Sequence, residues 1–164
     1  MTGEIIQINV SPGGIPKRAV SQAQITAYGI EGDSWAHPRI HGGPDKAILL
    51  MDADGIDELA RRGYPVYYGA LGENLTVRGL DRRGLRTGQQ LRAGTALLEL
   101  TRIRVPCSTL DVYGAAIQRE IYDGRVKAGD VSSPRWGMSG FYARVLQPGI
   151  VRVKDIICVV ATLA

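Results

Sequence analysis

The sequence predicts a mainly β fold, a β-barrel with a few short helices. Glycine makes up 21 of the 164 residues, which is about 13% against a usual value of about 7%. Without a collagen-like period, this excess indicates many tight turns. About six to eight short segments are predicted as strands, and two helical segments do not alternate with them as in a doubly wound fold. The length favours a single domain over residues 1–164.

Strands are predicted where apolar residues run continuously or alternate with polar ones. In the first of them, Ile6, Ile8 and Val10 alternate with polar neighbours, which predicts one buried face. A second strand is predicted to begin near Arg18. The remaining strand segments are residues 47–51, 73–77, 95–105, 141–146 and 150–160.

Two helices are predicted between the strands. The first follows residues 47–51, with Asp52 or Asp54 as its N-cap and Gly63 at its end. Its apolar face is formed by Ile56, Leu59 and Ala60. The second covers residues 111–122, places Ile117 and Ile121 on one face, and is predicted to end at Gly124.

The charge pattern and the hydropathy exclude several classes of partner. Twenty basic and sixteen acidic residues give a net charge of +4, and sixteen of the basic residues are arginine. They are scattered and lack a stacking motif, so no nucleic acid partner is predicted. No apolar run approaches the roughly 18 residues of a membrane span, and the N-terminus does not resemble a signal peptide. We therefore expect no membrane partner and a cytoplasmic location. The arginines are either a solvated surface or part of an oxyanion site.

Two cysteines are present, and their surroundings differ. Cys158 lies in an apolar strand, where a small buried hydrophobic residue is the default interpretation. Cys107 follows a proline at the end of a predicted strand, with Arg102 and Arg104 just upstream. Nearby positive charge favours a thiolate. Cys107 is therefore the candidate reactive residue, and a buried structural cysteine is the alternative.

Two further segments place polar residues beside tight turns. In HGGPDK (41–46), the glycines are able to present bare amides to an anion, with His41 and Lys46 beside them. The alternative is a plain hairpin loop. In GALGENL (69–75), Asn74 is able to orient a ligand through its side-chain amide or to close a turn on its own backbone.

Common metal and nucleotide motifs are absent. His37 and His41 have helical spacing, but Pro38 lies between them and no third ligand is evident, so no zinc site is predicted. The sequence has no phosphate-binding loop, no dinucleotide-binding glycine motif and no nucleophile elbow.

Taken together and in this order, HGGPDKA (41–47), GALGENLTVRGL (69–80) and RVPCSTL (104–110) strongly resemble the MOSC domain family. MOSC domains are the C-terminal domains of molybdenum cofactor sulfurases and also occur as small stand-alone bacterial proteins. The resemblance covers most of the chain and implies a barrel-like fold. The family enters its last strand through a Gly-Asp turn where this chain has Lys154-Asp155, so we expect a different turn there.

The resemblance also implies a site. The family's cysteine, proposed to carry sulfur or to ligate molybdenum, corresponds to Cys107, and a thiolate suits both roles. The molybdenum cofactor, molybdopterin, ends in a phosphate, which suits a glycine turn and basic side chains. The implied cofactor-binding residues are His41, Gly42, Gly43, Lys46, Asn74, Arg104 and Arg135.

Three functions remain open at this stage. The first is a molybdenum-cofactor-binding protein that reduces N-hydroxylated small molecules with an external reductase as electron donor. The second is a sulfur carrier in which Cys107 holds a persulfide made by an external cysteine desulfurase, because the chain has no pyridoxal-phosphate domain. The third is a non-catalytic anion-binding module. Two cysteines cannot hold a four-cysteine iron–sulfur cluster, so any redox role requires that external donor.

Overall fold

The computed structural model describes residues 1–36, 39 and 42–160, and strands dominate that part of the chain. The strands there are β1 (Thr2–Val10), β2 (Arg18–Val20), β3 (Gln22–Thr26), β4 (Gly29–Ile30), β5 (Ile48–Asp52), β6 (Leu75–Arg78), β7 (Gln90–Ala93), β8 (Ala96–Ile103), β9 (Phe141–Gln147), β10 (Gly149–Arg152) and β11 (Ile156–Val160). The α-helices are α1 (Ala53–Arg61), α2 (Ile117–Ile121) and α3 (Gly124–Lys127), and short 3-10 helices cover Pro44–Lys46, Arg82–Gly84 and Ser108–Tyr113. None of the helices in this described part is long and apolar enough to cross a membrane.

Seven strands form a closed barrel. Their order is β11-β7-β8-β9-β5-β6-β1, and pairing between β1 and β11 closes the ring. Neighbouring strands run antiparallel except β5 and β6, which are parallel and are connected through α1. Strand β2 extends the sheet beyond β1, and β10, β3 and β4 form a second, smaller sheet. The predicted mainly β barrel with a few short helices is confirmed, with more strands than the sequence predicts.

Two apolar cores lie on opposite faces of β5. Ile48 and Leu50 belong to the core inside the barrel, whereas Leu49 and Met51 alternate to the other face and belong to a second core. The second core also contains apolar residues of α1, of the loop before β6 and of the segment 107–122. Because a fully buried Leu or Ile contributes about 1.5–3 kcal/mol, these contacts hold the loops firmly against the outside of the barrel.

A β-bulge in β1 overturns one sequence-based prediction. The alternation predicts Ile6 and Ile8 on the buried face, but the fully buried residues are Ile5 and Ile8. The pairing of β1 with β6 shifts by one residue just after Ile5, so Ile6 is the extra residue. Asn9 is fully buried as well, and its Nδ2 donates to Thr76 Oγ1 at 3.1 Å. The bulge therefore gives a polar side chain a place beside the barrel core.

The first predicted helix is confirmed as α1. The side chain of Asp52 accepts hydrogen bonds from the backbone N–H groups of Asp54 and Gly55, which makes Asp52 the N-cap. Ile56 and Leu59 are buried as predicted, but Ala60 is exposed. The apolar face is therefore narrower than the sequence suggests.

The helix predicted over residues 111–122 is confirmed only in its last part, where α2 buries Ile117 and Ile121 as predicted. A 3-10 helix ends at Tyr113, and Gly114 has φ 134°, which is outside the helical range, before α2 begins at Ile117. Gly124, predicted to end the helix, is instead the first residue of α3, which is capped by Asp123. Gly114 thus interrupts the predicted helix before Ile117, which the spacing of the apolar residues did not indicate.

The segment 150–160, predicted as one strand, is divided into β10 and β11 by a turn. Lys154 in that turn has φ 76°, in the left-handed region that favours glycine. The side chain of Asp155 accepts the Arg152 N–H at 2.7 Å, and the Lys154 N–H donates to the Ile5 carbonyl at 2.7 Å. This turn therefore differs from the family's Gly-Asp turn, as expected, because a strained lysine occupies the left-handed position.

Candidate functional site

One cavity of about 140 Å³ collects loops that are far apart in the sequence. It lies against the side chains of Leu49 on β5 and Tyr142 on β9. Its other walls come from the segments 14–17, 34–36, 71–74 and 104–110. We refer to it as the Cys107 cavity. It sits on the outer face of the barrel, next to the second core.

Four of the predicted site residues line the Cys107 cavity, namely Lys46, Asn74, Arg104 and Cys107. They belong to the three motifs that carry the family resemblance. The structure thus brings these motifs together although they are spread over more than 60 residues of sequence. His41, which was predicted to accompany them, lies outside the described residues.

Gly42 and Gly43 are not among the described lining residues. Gly43 has φ 108° and precedes the 3-10 helix Pro44–Lys46, whose last residue is the cavity-lining lysine. A left-handed φ of this kind is accessible to glycine at little cost. The structure thus places the glycine pair in the turn that leads to Lys46.

Arg135 is not brought to the cavity. Its Nε donates to the Glu120 carbonyl at 3.1 Å, and its terminal nitrogens lie 3.8 Å from the Glu120 carboxylate and 3.6 Å from that of Asp123. It is not among the described lining residues. In this position it connects α2 to the loop before β9.

Cys107 is held at the cavity wall by the turn that follows it. Its carbonyl accepts the Leu110 N–H at 3.1 Å, and the buried Leu110 side chain anchors this turn in the second core. The Sγ atom lies 3.3 Å from Thr109 Oγ1. Cys158 lies on β11 and is partly exposed, not fully buried as the sequence suggested. Both thiols are free, and of these two Cys107 alone lines the cavity.

Arg104 is a buried cation whose hydrogen-bond partners are all neutral. Its Nε donates to the Ser139 carbonyl at 2.7 Å and its Nη1 to the Leu71 carbonyl at 2.6 Å, while Nη2 lies 3.7 Å from Met51 Sδ. No carboxylate among the described residues forms an ion pair with it. Burial lowers the pKa of Arg104 from its usual value, although the nearby carboxyl group of Glu73 acts to raise this pKa. Because buried charges are normally paired, this guanidinium favours an anion in the cavity.

Asn74 lines the cavity, and all of its side-chain hydrogen-bonding groups are already engaged by protein. Its Oδ1 accepts the Leu49 N–H at 3.0 Å. Its Nδ2 donates to the Asn9 carbonyl at 3.3 Å and to Asp33 Oδ2 at 2.8 Å. In this arrangement the amide fixes its neighbours in place, above all Asp33.

Asp33 in turn holds Lys17, which sequence reasoning did not single out. Lys17 Nζ lies 2.5 Å from Asp33 Oδ1, and the two side chains are only 6% and 4% exposed. The Ser11 N–H donates to the same oxygen at 2.8 Å. Lys17 lines the cavity, whereas Asp33 is not among the described lining residues.

The loop before β6 is built around a buried acid. Glu73 Oε1 accepts the Gly69 N–H at 2.6 Å and the Thr76 hydroxyl at 3.1 Å, while Oε2 has no hydrogen-bond partner among the described residues. Burial raises the pKa of Glu73 from its usual value, against these hydrogen bonds, which lower it. The acid fixes Gly69, whose carbonyl accepts the Lys17 N–H at 2.9 Å.

Tyr142 is a second cavity residue that the sequence analysis missed. It is partly buried on β9, and burial raises the pKa of its hydroxyl above the usual value. Lys46 Nζ lies 5.8 Å from the centre of its ring, a distance that allows a cation–π contact. Strand alternation offered a signal, because Phe141 packs inside the barrel and its neighbour must face outward. For Lys17, by contrast, the glycine-rich loop before it gave no specific signal.

The charged side chains among the described lining residues are all positive. Lys17, Lys46 and Arg104 line the cavity, and the described lining residues include no aspartate or glutamate. Asp33, which is not among the described lining residues, forms an ion pair with Lys17. Within residues 1–36, 39 and 42–160, no group of three His, Cys, Asp or Glu side chains is placed to hold a metal ion by itself. The site therefore suits an anion next to a thiol.

Comparison with known proteins agrees with this geometry. The family model of the MOSC domain matches residues 37–158. An uncharacterised protein of Bacillus subtilis, YflK, is 34% identical over 84% of this chain and 59% of its own length, and the Escherichia coli protein YiiM is 32% identical over 62% of this chain and 48% of its own. The chain thus spans about half to three fifths of the length of these relatives. The crystal structure of YiiM from Geobacillus stearothermophilus superposes with a TM-score of 0.72 at 28% identity, covering 97% of this chain and 75% of that one. The chain belongs to the MOSC domain family.

Proposed function

We propose that this protein binds a molybdenum cofactor in the Cys107 cavity and, with electrons from an external reductase, reduces N-hydroxylated small molecules. The observation that carries the proposal is the combination of one free thiol and three cations around a single cavity, with no carboxylate among the described lining residues. Membership of the MOSC family, which is associated with this cofactor, supports it.

The residues present fit such a cofactor. A cysteine thiolate is a soft ligand for a metal centre, and basic side chains suit the phosphate of a pterin cofactor. The described lining residues offer a single thiol, and no group of three His, Cys, Asp or Glu side chains in the described part of the chain is placed to hold a metal ion. The remaining ligands of a metal bound here would therefore come with the cofactor.

The chain's own residues would bind and orient the reacting molecules. Lys46 and Arg104 would favour the anionic part of the cofactor, and Cys107 would hold its metal end. When bound, the molybdenum centre supplies the place where two electrons enter the N–O bond. Reduction of R–NH–OH consumes two electrons and two protons and gives R–NH₂ and water. The two cysteines of this sequence cannot hold a four-cysteine cluster, so the electrons would come from the external reductase.

A sulfur carrier is the second candidate, and one observation favours it. Cys107 is a partly exposed thiol, and Cys158 does not line the same cavity. A persulfide on Cys107 would therefore not be lost by formation of a disulfide with Cys158. The surrounding cations would stabilise its negative charge. Loading would need an external cysteine desulfurase.

Mass spectrometry of protein purified from a molybdenum-replete host tests these functions against each other. The proposal predicts a pterin that is released on denaturation, and an intact-chain mass without added sulfur. A mass gain of one sulfur atom on Cys107 would instead support the carrier. The absence of both would leave the anion-binding module and would contradict the proposal. Reduction of an N-hydroxylated substrate by the loaded protein and a reductase then tests the activity.

A further inference from the structure

We propose that Lys17 contacts the bound ligand in the Cys107 cavity, where its ammonium group donates hydrogen bonds to an anionic oxygen of the ligand. This inference deepens the proposed function and rests on it in one respect, namely that the occupant is an anion. Lys17 lies outside the three motifs that carry the family resemblance. Its assignment comes from the cavity and from its ion pair with Asp33.

Of the two residues in the ion pair, only the lysine belongs to the described cavity lining, which includes Lys17 but not Asp33. All three hydrogen bonds to the Asp33 carboxylate come from protein, because Ser11 N–H and Lys17 Nζ donate to Oδ1 and Asn74 Nδ2 donates to Oδ2. The carboxylate is thus engaged by protein donors, and it fixes the position of the ammonium group of a residue that lines the cavity.

The ammonium group of Lys17 has more N–H donors than hydrogen-bond partners among the described residues. A lysine Nζ carries three N–H groups, and Asp33 is the one hydrogen-bond partner of Lys17 Nζ among the described residues. The side chain is only 6% exposed, so bulk water has little access to the remaining donors. Buried donors without acceptors are costly. An oxygen acceptor in the cavity would satisfy them.

The position of Lys17 is also set by the backbone. Its N–H donates to the Gly69 carbonyl at 2.9 Å, and a Cβ atom at Gly69 would lie 2.4 Å from the Lys17 carbonyl oxygen. The glycine is therefore required for this close approach. Asn74, predicted as a direct ligand residue, would instead act as a positioning residue that reaches the ligand through Asp33 and Lys17.

A purely structural ion pair is the competing explanation. Buried ion pairs often add little stability over apolar residues of similar volume. A structural pair would therefore be replaceable by neutral residues without loss of ligand binding. The double variant Lys17→Met with Asp33→Asn tests this, because it removes both charges together and leaves no buried charge unpaired.

The binding experiment uses the full chain without cofactor, titrated calorimetrically with inorganic phosphate and, separately, with molybdate. We expect the double variant to bind at least one of the two about ten- to a hundredfold more weakly than wild type, the loss typical of one charged hydrogen bond. Loss for phosphate alone would assign Lys17 to the phosphate end of the ligand, and loss for molybdate alone to the metal end. The double variant keeps the net charge of wild type, and Lys127→Met, which removes an exposed lysine outside the cavity lining, controls for the loss of a lysine elsewhere on the chain.

A measurement on wild-type protein covers the case in which the double variant does not fold. The sequence contains four lysines, at positions 17, 46, 127 and 154, so their side-chain εCH₂ signals can be assigned by NMR. We expect the Lys17 signal to shift on titration with phosphate or molybdate, while the Lys127 and Lys154 signals stay in place. Binding of both anions with an unshifted Lys17 signal, or undiminished affinity in the double variant, would overturn this inference alone. No binding of either anion to wild type would overturn it together with the anion-binding cavity of the proposed function.

Discussion

Replacing Lys17 by methionine should destabilise the fold strongly, because it leaves the carboxylate of Asp33 buried and without a cation. Exposed ion pairs are worth about 0–1 kcal/mol, but this pair is only 6% and 4% exposed. Breaking a buried pair costs about 3–5 kcal/mol. Two hydrogen bonds to Asp33 would remain, from Ser11 N–H and Asn74 Nδ2, so we expect a value near the lower end of that range.

Thermal and urea unfolding followed by circular dichroism measure this cost. For a chain of this length, 1 kcal/mol corresponds to about 2–4 °C in Tm, so a loss of 3 kcal/mol lowers Tm by about 6–12 °C. Adding Asp33→Asn to Lys17→Met should recover more than half of the loss, because the unpaired charge is gone. A loss below about 1 kcal/mol in the single variant, or no recovery in the double variant, would show that Lys17 and Asp33 are not a coupled buried pair.

Three further predictions concern other residues. Lys46→Ala should weaken phosphate binding by about 1.5–3 kcal/mol in calorimetric titrations, whereas Lys127→Ala should leave it unchanged; equal binding by both variants would contradict a role for Lys46 in the cavity. Burial raises the pKa of Glu73, so the folded state holds this proton more tightly than the unfolded state. Stability should therefore fall as pH rises from about 4.3 through the folded-state pKa. Urea midpoints should show this fall in wild type and a flatter profile in Glu73→Gln, and parallel profiles would refute it. Lys154→Gly should raise stability by about 1 kcal/mol, because Lys154 has φ 76°; an unchanged or lower Tm would count against strain at this turn.

The barrel and the convergence of the motifs were predictable from the sequence. Strand alternation and glycine content indicated the β fold, and three motifs in order indicated the family. The residues Lys46, Asn74, Arg104 and Cys107 do line one cavity. The bulge after Ile5 was not predictable, because alternating residues look the same with or without an extra residue in the pairing.

The parts of the site that the sequence did not show depend on long-range contacts. Lys17 and Asp33 acquire a role only when Asn74, 41 residues after Asp33, donates to that carboxylate. Arg135 has the residue type expected for anion binding, but two acidic neighbours hold it elsewhere. Residue type identifies candidates, and only the three-dimensional arrangement decides which of them face the cavity.

The molybdenum content of purified protein shows whether Cys107 holds the cofactor. The chain offers a matched pair of variants, Cys107→Ser and Cys158→Ser, because both cysteines are free and partly exposed and only the first of them lines the cavity. Protein would be produced in a molybdenum-replete host, checked for folding by its melting curve, and analysed for metal per chain. We expect wild type and Cys158→Ser to carry molybdenum in similar amounts and Cys107→Ser to lose it. Equal molybdenum in Cys107→Ser and wild type would mean that Cys107 does not hold the metal.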